Sequence, residues 1–265
     1  MTNALSLSRQ RFVSVLVIAV ATLLAWPSPA RAQLKVIISG GFSTAFRQVL
    51  PEFERSTGIT VTTLSGASQG TGPETIAAQL SRGVPADVAI LSREGLAELI
   101  AAGRIAAGTD VDLARAALGA AVRSGARKPD ISTVEAFKQA LVSARVVAVP
   151  ASTSGIYLTT ELFPRLGIAD KLSTKIMPRG SQSAALVASG DAGIVVQPIS
   201  ELLHVAGIDF VGPIPAELQL IQTFAAAIVA GSKELEASRK LIAFLVSDRA
   251  AAAIKDNGME PVEKR

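Results

Sequence analysis

The chain has 265 residues, 49% of them hydrophobic and only 4% aromatic, with 26 basic against 22 acidic side chains and no cysteine. The missing Cys excludes disulfides and Cys-based zinc sites, and a single Trp and a single Tyr leave no platform for stacking nucleic-acid bases. A chain of this length can bury enough apolar surface to stand without staples, as one large domain or two small lobes.

The first 32 residues read as a secretory signal. Arg9 and Arg11 supply a basic start, Phe12 to Trp26 is almost wholly apolar, and Ala30-Arg31-Ala32 has the small-x-small form of a cleavage site. The apolar run of about 15 residues is shorter than the roughly 20 that a spanning helix needs, and Pro27 and Pro29 close it. Arg9-Gln10-Arg11 is not a twin-arginine pair, which favours the general export route. Cleavage after Ala32 is expected to release a periplasmic chain starting at Gln33. Without Arg9, Arg11 and Arg31 it carries 23 basic against 22 acidic residues, a net charge of +1. The basic excess that would suggest nucleic acid or a membrane surface is then gone.

Leu34 to Ile38 reads as a buried strand ending in the turn Ser39-Gly40-Gly41. Ser43 is expected to cap a helix with an apolar face of Ala45, Phe46, Val49, Leu50 and Phe53, stopped by Gly58. Ile59 to Leu64 is a second strand, Pro73 opens a helix to about Arg82, Ala86 to Leu91 is a third strand, and Ser92 caps Arg93 to Ala102. After the less regular Ser124 to Ser132, the pattern restarts with a helix from Val134 to Ser143, the strand Arg145 to Val149, and a helix opened by Ser152-Thr153-Ser154-Gly155. A helix from Ser181 to Ser189, a strand Ala192 to Val196, a helical segment Glu201 to Ala206, the strand Leu220 to Ala230 and helices Glu234 to Leu245 and Asp248 to Lys255 complete it. This alternation predicts an α/β fold with mostly parallel sheets. Two sets of such units predict two lobes, residues 33–122 with 220–265 and residues 123–219, with a cleft between them. Strand ends that lead into Ser/Thr/Gly turns favour anions there, because the first N–H groups of a helix lack internal partners.

Single motifs are less specific. Gly66-Ala67-Ser68-Gln69-Gly70 has the form of a hydrolase nucleophile elbow, with Asp191 and His204 downstream, but only one strand leads into it and the next helix begins near Pro73. Gly70-x-Gly72 lacks the third glycine of a dinucleotide loop, since position 75 is Thr75. One His and scattered carboxylates offer no metal-ligand spacing. Arg179-Gly180-Ser181, at a helix start, suits a bidentate pair with a carboxylate.

Taken together, Val36-Ile37-Ile38-Ser39-Gly40-Gly41-Phe42, Gly66-Ala67-Ser68, Gly83-Val84-Pro85-Ala86-Asp87-Val88, Ser154-Gly155-Ile156-Tyr157, Ala184 to Gly190 and Gly193-Ile194-Val195 resemble the molybdate-binding branch of the periplasmic solute-binding proteins of ABC transporters. The resemblance implies a type II periplasmic binding fold, hinge closure over a small anion, and delivery to a membrane permease. It places the crossovers at Arg115 to Val122 and Leu220 to Ala230. The family's first ligand Ser falls on Gly41 and its ligand Tyr on Val196, so two hydroxyls are lost, while a second Ser falls on Ser68. Smaller side chains leave room for a di- or tricarboxylate in place of molybdate.

The same resemblance extends to periplasmic aconitate isomerase, whose proton shift needs an acid/base and donors for developing charge. The expected ligand set is Gly41, Phe42 and Ser43; Ser68, Gln69, Gly70 and Thr71; Ser92; and, from the second lobe, Thr153, Ser154, Tyr157, Arg179, Ser181 and Gln197. For an isomerase, Glu74 or Tyr157 is the expected base. Capture of a small anion for uptake is the first expectation, isomerisation of aconitate the alternative, and molybdate binding through backbone N–H donors the second alternative, with a possible ABC permease as partner, no nucleic acid, no cofactor implied, and a monomer as the default.

Overall fold

The computed structural model describes residues 33–262; the expected signal and its cleavage site lie outside the described residues. In chain order these are β1 (Gln33–Ile38), α1 (Gly40–Thr57), β2 (Thr60–Ser65), α2 (Ile76–Ser81), β3 (Val88–Ser92), α3 (Arg93–Ala101), β4 (Val111–Ala116), β5 (Leu118–Arg123), α4 (Val134–Ser143) and β6 (Val146–Pro150). They continue with α5 (Thr153–Tyr157), a π turn (Leu158–Leu162), α6 (Phe163–Arg165), β7 (Ser173–Met177), α7 (Gly180–Ser189), β8 (Ile194–Pro198), β9 (Ile208–Pro213), β10 (Gln222–Ile228), α8 (Leu235–Leu245), α9 (Asp248–Asp256) and β11 (Met259–Pro261). None of the described helices is long and apolar enough to cross a membrane.

Helix boundaries follow local chemistry. Gly58 and Gly190 end α1 and α7 in the left-handed conformation that a side chain resists. Thr75, Ser92 and Thr133 cap α2, α3 and α4 by accepting from Ala78, Gly95 and Ala136 N–H. Three expectations shift. Helix α1 begins at Gly40 with Ser39 at its N-cap, and the Ser43 hydroxyl instead donates to Gly40 C=O at 2.9 Å within the first turn. Helix α2 starts behind Thr75, not at Pro73. The helical segment expected from Glu201 to Ala206 shrinks to a 3-10 turn, Ile199–Glu201, and His204 adopts a positive φ of 60°.

Two sheets organise the chain, in the orders β11-β4-β10-β3-β1-β2 and β7-β6-β8-β5-β9. Within each, three strands are parallel: β1 with β2 and β3, and β6 with β7 and β8. The remaining strands, β4, β5, β9, β10 and β11, pair antiparallel, so both sheets are mixed. Helices cover both faces, which is why β3 and β8 are buried along their whole length. The chain leaves the first sheet at Ala117, between β4 and β5, and returns between β9 and β10. Leu118–Val122, expected at the end of the first lobe and within a crossover, pairs with β8 and β9 of the second sheet. An apolar strand carries no local mark of which sheet it will join.

Apolar side chains fill both faces of each sheet. Phe46, Phe53, Leu241 and Leu245 join α1 and α8 to one face of the first, with the Phe53 and Phe244 rings 5.5 Å apart. Phe137, Leu158, Leu162 and Val196 pack the corresponding face of the second. Each buried Leu or Phe of this kind contributes about 1.5–3 kcal/mol over exposure.

Candidate functional site

A cleft of about 290 Å³ lies where the C-terminal ends of the parallel strands meet. From the first half of the fold it is lined by Ser39 and the opening turns of α1, including Gly40, Gly41, Ser43 and Arg47, and by Ser65 at the end of β2 with Gly66 to Ser68 after it. Ser152, Ser154, Arg179, Gly180 and Ser181 face it from α5 and α7, Ser200 and Glu201 from the turn after β8, and Gln222 and Phe224 from β10. Two helices of more than two turns, α1 and α7, thus direct their N-termini at one space, where partial positive charge and free N–H groups favour an anion.

Several buried polar atoms in this wall have no partner. Ser39 Oγ, Ser200 Oγ and Gln222 Oε1 belong to residues that are each 3% exposed, and none is hydrogen-bonded. Leaving such groups unsatisfied costs about 1–3 kcal/mol each, a cost that a polar ligand removes. None of the three was singled out from sequence, where Ser39 reads as part of a turn, Ser200 as linker and Gln222 as part of an apolar strand.

Glu201 is the carboxylate of this wall. A Cβ placed on Gly40 would collide with its Oε1, and one on Gly180 would come within 2.6 Å of it, so the carboxyl sits between the residues that open α1 and α7. Burial pushes it up to about 7, because the ionised form is poorly solvated there. The two helix N-termini act the other way and favour ionisation. Sequence reading missed Glu201, although it is the one charged residue between Val195 and Leu203.

Of the residues expected at the site, Gly41, Ser43, Ser68, Ser154, Arg179 and Ser181 line the cleft. Ser68 Oγ is already occupied by Ser92 N–H at 3.0 Å. Arg179 Nε donates to Glu74 Oε2 at 2.7 Å across the cleft, and its Nη2 to Ser65 C=O at 3.3 Å. Glu74 is therefore held at the rim as the partner of Arg179 and is absent from the lining.

The other expected residues lie elsewhere. Phe42 is buried against Phe224, their rings 6.5 Å apart, because position 42 falls on the apolar face of α1. Gly70 and Thr71 stand exposed in the loop before α2. The Tyr157 hydroxyl donates to Leu218 C=O at 3.0 Å and its ring packs on the second core, which takes it out of the cleft. Gln197 is fully buried and its Nε2 donates to Glu201 C=O at 2.9 Å, so it fixes the turn that carries Glu201. Ser92, Thr153 and Gln69 form a chain between the two halves: Thr153 Oγ1 is 2.8 Å from Ser92 Oγ and 2.8 Å from Gln69 Oε1, and Gln69 Nε2 reaches Glu98 at 2.6 Å. The hydrolase constellation does not assemble, since His204 Nε2 pairs with Asp256 C=O and Asp191 with Ser189.

The family model of bacterial extracellular solute-binding proteins matches residues 34–260. The chain belongs to this family. An aconitate isomerase from Pseudomonas sp. is 40% identical to it over 230 residues, covering 86% of this chain and 88% of that protein. Among solved structures, the periplasmic molybdate-binding protein of Azotobacter vinelandii superposes with a TM-score of 0.69 at 21% identity, over 88% of this chain and 100% of that one. A sulfate-binding protein from Mycobacterium tuberculosis gives a TM-score of 0.67 at 20% identity, over 88% of both chains. The two-sheet architecture is thus that of the type II periplasmic binding proteins. Within the family frame, Gly41 has no space for a serine because a Cβ there would run into the Phe224 ring. Val196 is fully buried in the second core and brings nothing to the cleft.

Proposed function

We propose that the mature chain is an exported protein that closes over a small polycarboxylate and interconverts cis- and trans-aconitate. The observation that carries this reading is the anion-seeking wall of the cleft: the N-termini of α1 and α7, the guanidinium groups of Arg47 and Arg179, and the unpartnered hydroxyls of Ser39 and Ser200. Donors spread over both halves suit a ligand with several carboxylates, each bound by a charged or N-terminal donor. The loss of hydroxyls at Gly41 and Val196 weighs against molybdate. The extended similarity to an aconitate isomerase supports the chemical class of the ligand and its turnover. Export rests on the segment from Arg9 to Ala32.

A receptor that passes its ligand unchanged to an ABC permease is the second reading, favoured by the family's description and by the hydrogen bonds of Thr153 to Ser92 and Gln69 outside the cleft lining, which suit a hinge closing on a solute. One tube separates the readings. Mature protein is melted with cis-aconitate and with molybdate, and the cis-aconitate sample is then followed by proton NMR. A raised melting temperature with cis-aconitate and the appearance of the trans isomer are expected. A raised temperature with an unchanged spectrum would establish the receptor, and a rise with molybdate alone would reject the carboxylate reading.

A further inference from the structure

We infer that Glu201 is the catalytic acid/base that moves the proton when the ligand is isomerised, an assignment that rests on the reading of the cleft as an aconitate site. Arg47, Arg179 and Glu201 are the ionisable side chains of the cleft lining. A guanidinium does not give up its proton in a protein. Glu201 is then the group of the wall able both to take up and to return one. Glu74 is bound to Arg179 at the rim, and the Tyr157 hydroxyl is directed at Leu218.

Position agrees with this role. The carboxyl lies against Gly40 and against Gly180, the first residues of α1 and α7. A ligand carboxylate held beside either helix start would bring its neighbouring carbon toward Glu201. The hydroxyls of Ser39 and Ser200, buried and unpartnered, stand in the same wall and can take up charge that develops on a ligand carboxylate. Gln197 holds the backbone of Glu201 from behind, which limits the movement of the side chain's anchor.

The step balances without a co-reactant. The ionised carboxyl of Glu201 removes a proton from the methylene carbon of cis-aconitate, and the C–H electron pair becomes the new C=C bond. The electrons of the old double bond move to its far carbon and are delocalised onto the attached carboxylate. The protonated carboxyl then returns a proton to that far carbon, and Glu201 is ionised again. Burial that holds the group near neutrality suits a residue that must change state twice per turnover. The charged groups sharing the wall, Arg47 from α1 and Arg179 ahead of α7, keep their charge throughout.

The test compares wild type, Glu201→Gln and Glu201→Asp in cis-aconitate, with isomerisation followed by NMR and binding by calorimetry. Glu201→Gln is expected to bind cis-aconitate within about tenfold of wild type while kcat falls at least about a thousandfold, the scale of a lost general base. Glu201→Asp is expected to keep a reduced kcat and to move the acid limb of the kcat–pH profile. A Glu201→Gln protein that turns over within tenfold of an active wild type overturns the assignment while leaving the isomerase reading intact. If Glu201→Gln does not fold, Glu201→Asp decides, and an unchanged kcat and pH profile overturns the assignment. A wild type that binds cis-aconitate and leaves it unchanged overturns the isomerase reading and this role together.

Discussion

Arg179 and Glu74, 105 positions apart in the chain, meet at 2.7 Å across the mouth of the cleft. The pair links the start of α7 to the loop before α2, and both side chains keep about a third or more of their exposure, 35% and 43%. Screening therefore keeps its worth to roughly 0–1 kcal/mol. Glu74→Gln should leave the melting temperature nearly unchanged and enlarge the radius of gyration of the ligand-free protein in small-angle scattering, as the halves part more often. Arg179→Ala should weaken cis-aconitate binding by about 1.5–3 kcal/mol, the range for a charged hydrogen bond. Unchanged affinity in calorimetry would remove Arg179 from the site.

Thr153 carries the other link. Its hydroxyl touches both Ser92 and Gln69 in the opposite half, and Ser92 is fully buried. In an opened molecule these groups meet water instead, so the cost of losing the hydroxyl falls on the closed state. Thr153→Val should reduce ligand affinity about tenfold, with the unfolding free energy of the ligand-free protein changed far less. Equal affinity in titration calorimetry would show that the contact does not help closure.

Gly41 and Phe224 are predicted to be coupled. Gly41→Ser, which would restore a hydroxyl at the family position, drives its Cβ into the Phe224 ring and should destabilise by about 1–3 kcal/mol through overpacking. In a Phe224→Ala background the same change should cost clearly less. Urea unfolding of the four proteins gives the coupling energy, and additive losses would contradict the collision.

The pH dependence of stability follows from Glu201. Its folded value is raised from 4.5 to about 7, so the folded chain binds more protons than the unfolded one in that interval. Stability should therefore fall as pH rises from about 4.5 to about 7 and level off above, by on the order of 3 kcal/mol at most. Asp110 acts in the opposite sense: the hydrogen bond from Arg93 holds its carboxyl below the usual range, so its contribution is complete at neutral pH and is lost only on acidification. Urea melts across this range should show the Glu201 slope in wild type and not in Glu201→Gln, with the acid-side loss retained in both.

Much of the fold was legible because its determinants are local. The apolar run of β1, the Gly58 stop and the Ser92 cap act over a few residues, and each appears where hydrophobic period and capping chemistry place it. The turns at the strand ends were also legible as anion-favouring, and six of the residues expected there line the cleft. Sheet membership was not: Leu118–Arg123 reads the same whether it pairs with β4 or with β8 and β9. Nor was the direction of individual side chains within a turn, which sends Phe42 into the core and leaves Ser43, one residue on, at the cleft.

By itself, then, the sequence determined an α/β chain of strand–turn–helix units whose turns offer backbone N–H groups to an anion, because these features depend on neighbours in the chain. The tertiary structure decided which atoms share the cleft. Burial raises the Glu201 carboxyl to about 7 only in the folded chain, where it stands against Gly40 and Gly180 at the starts of two helices. Ser39 and Ser200 are left without hydrogen-bond partners only where the folded chain buries their hydroxyls in the cleft wall. Solvation of a charge and satisfaction of a hydroxyl depend on surroundings in space, and distant segments supply those only once the two sheets are assembled.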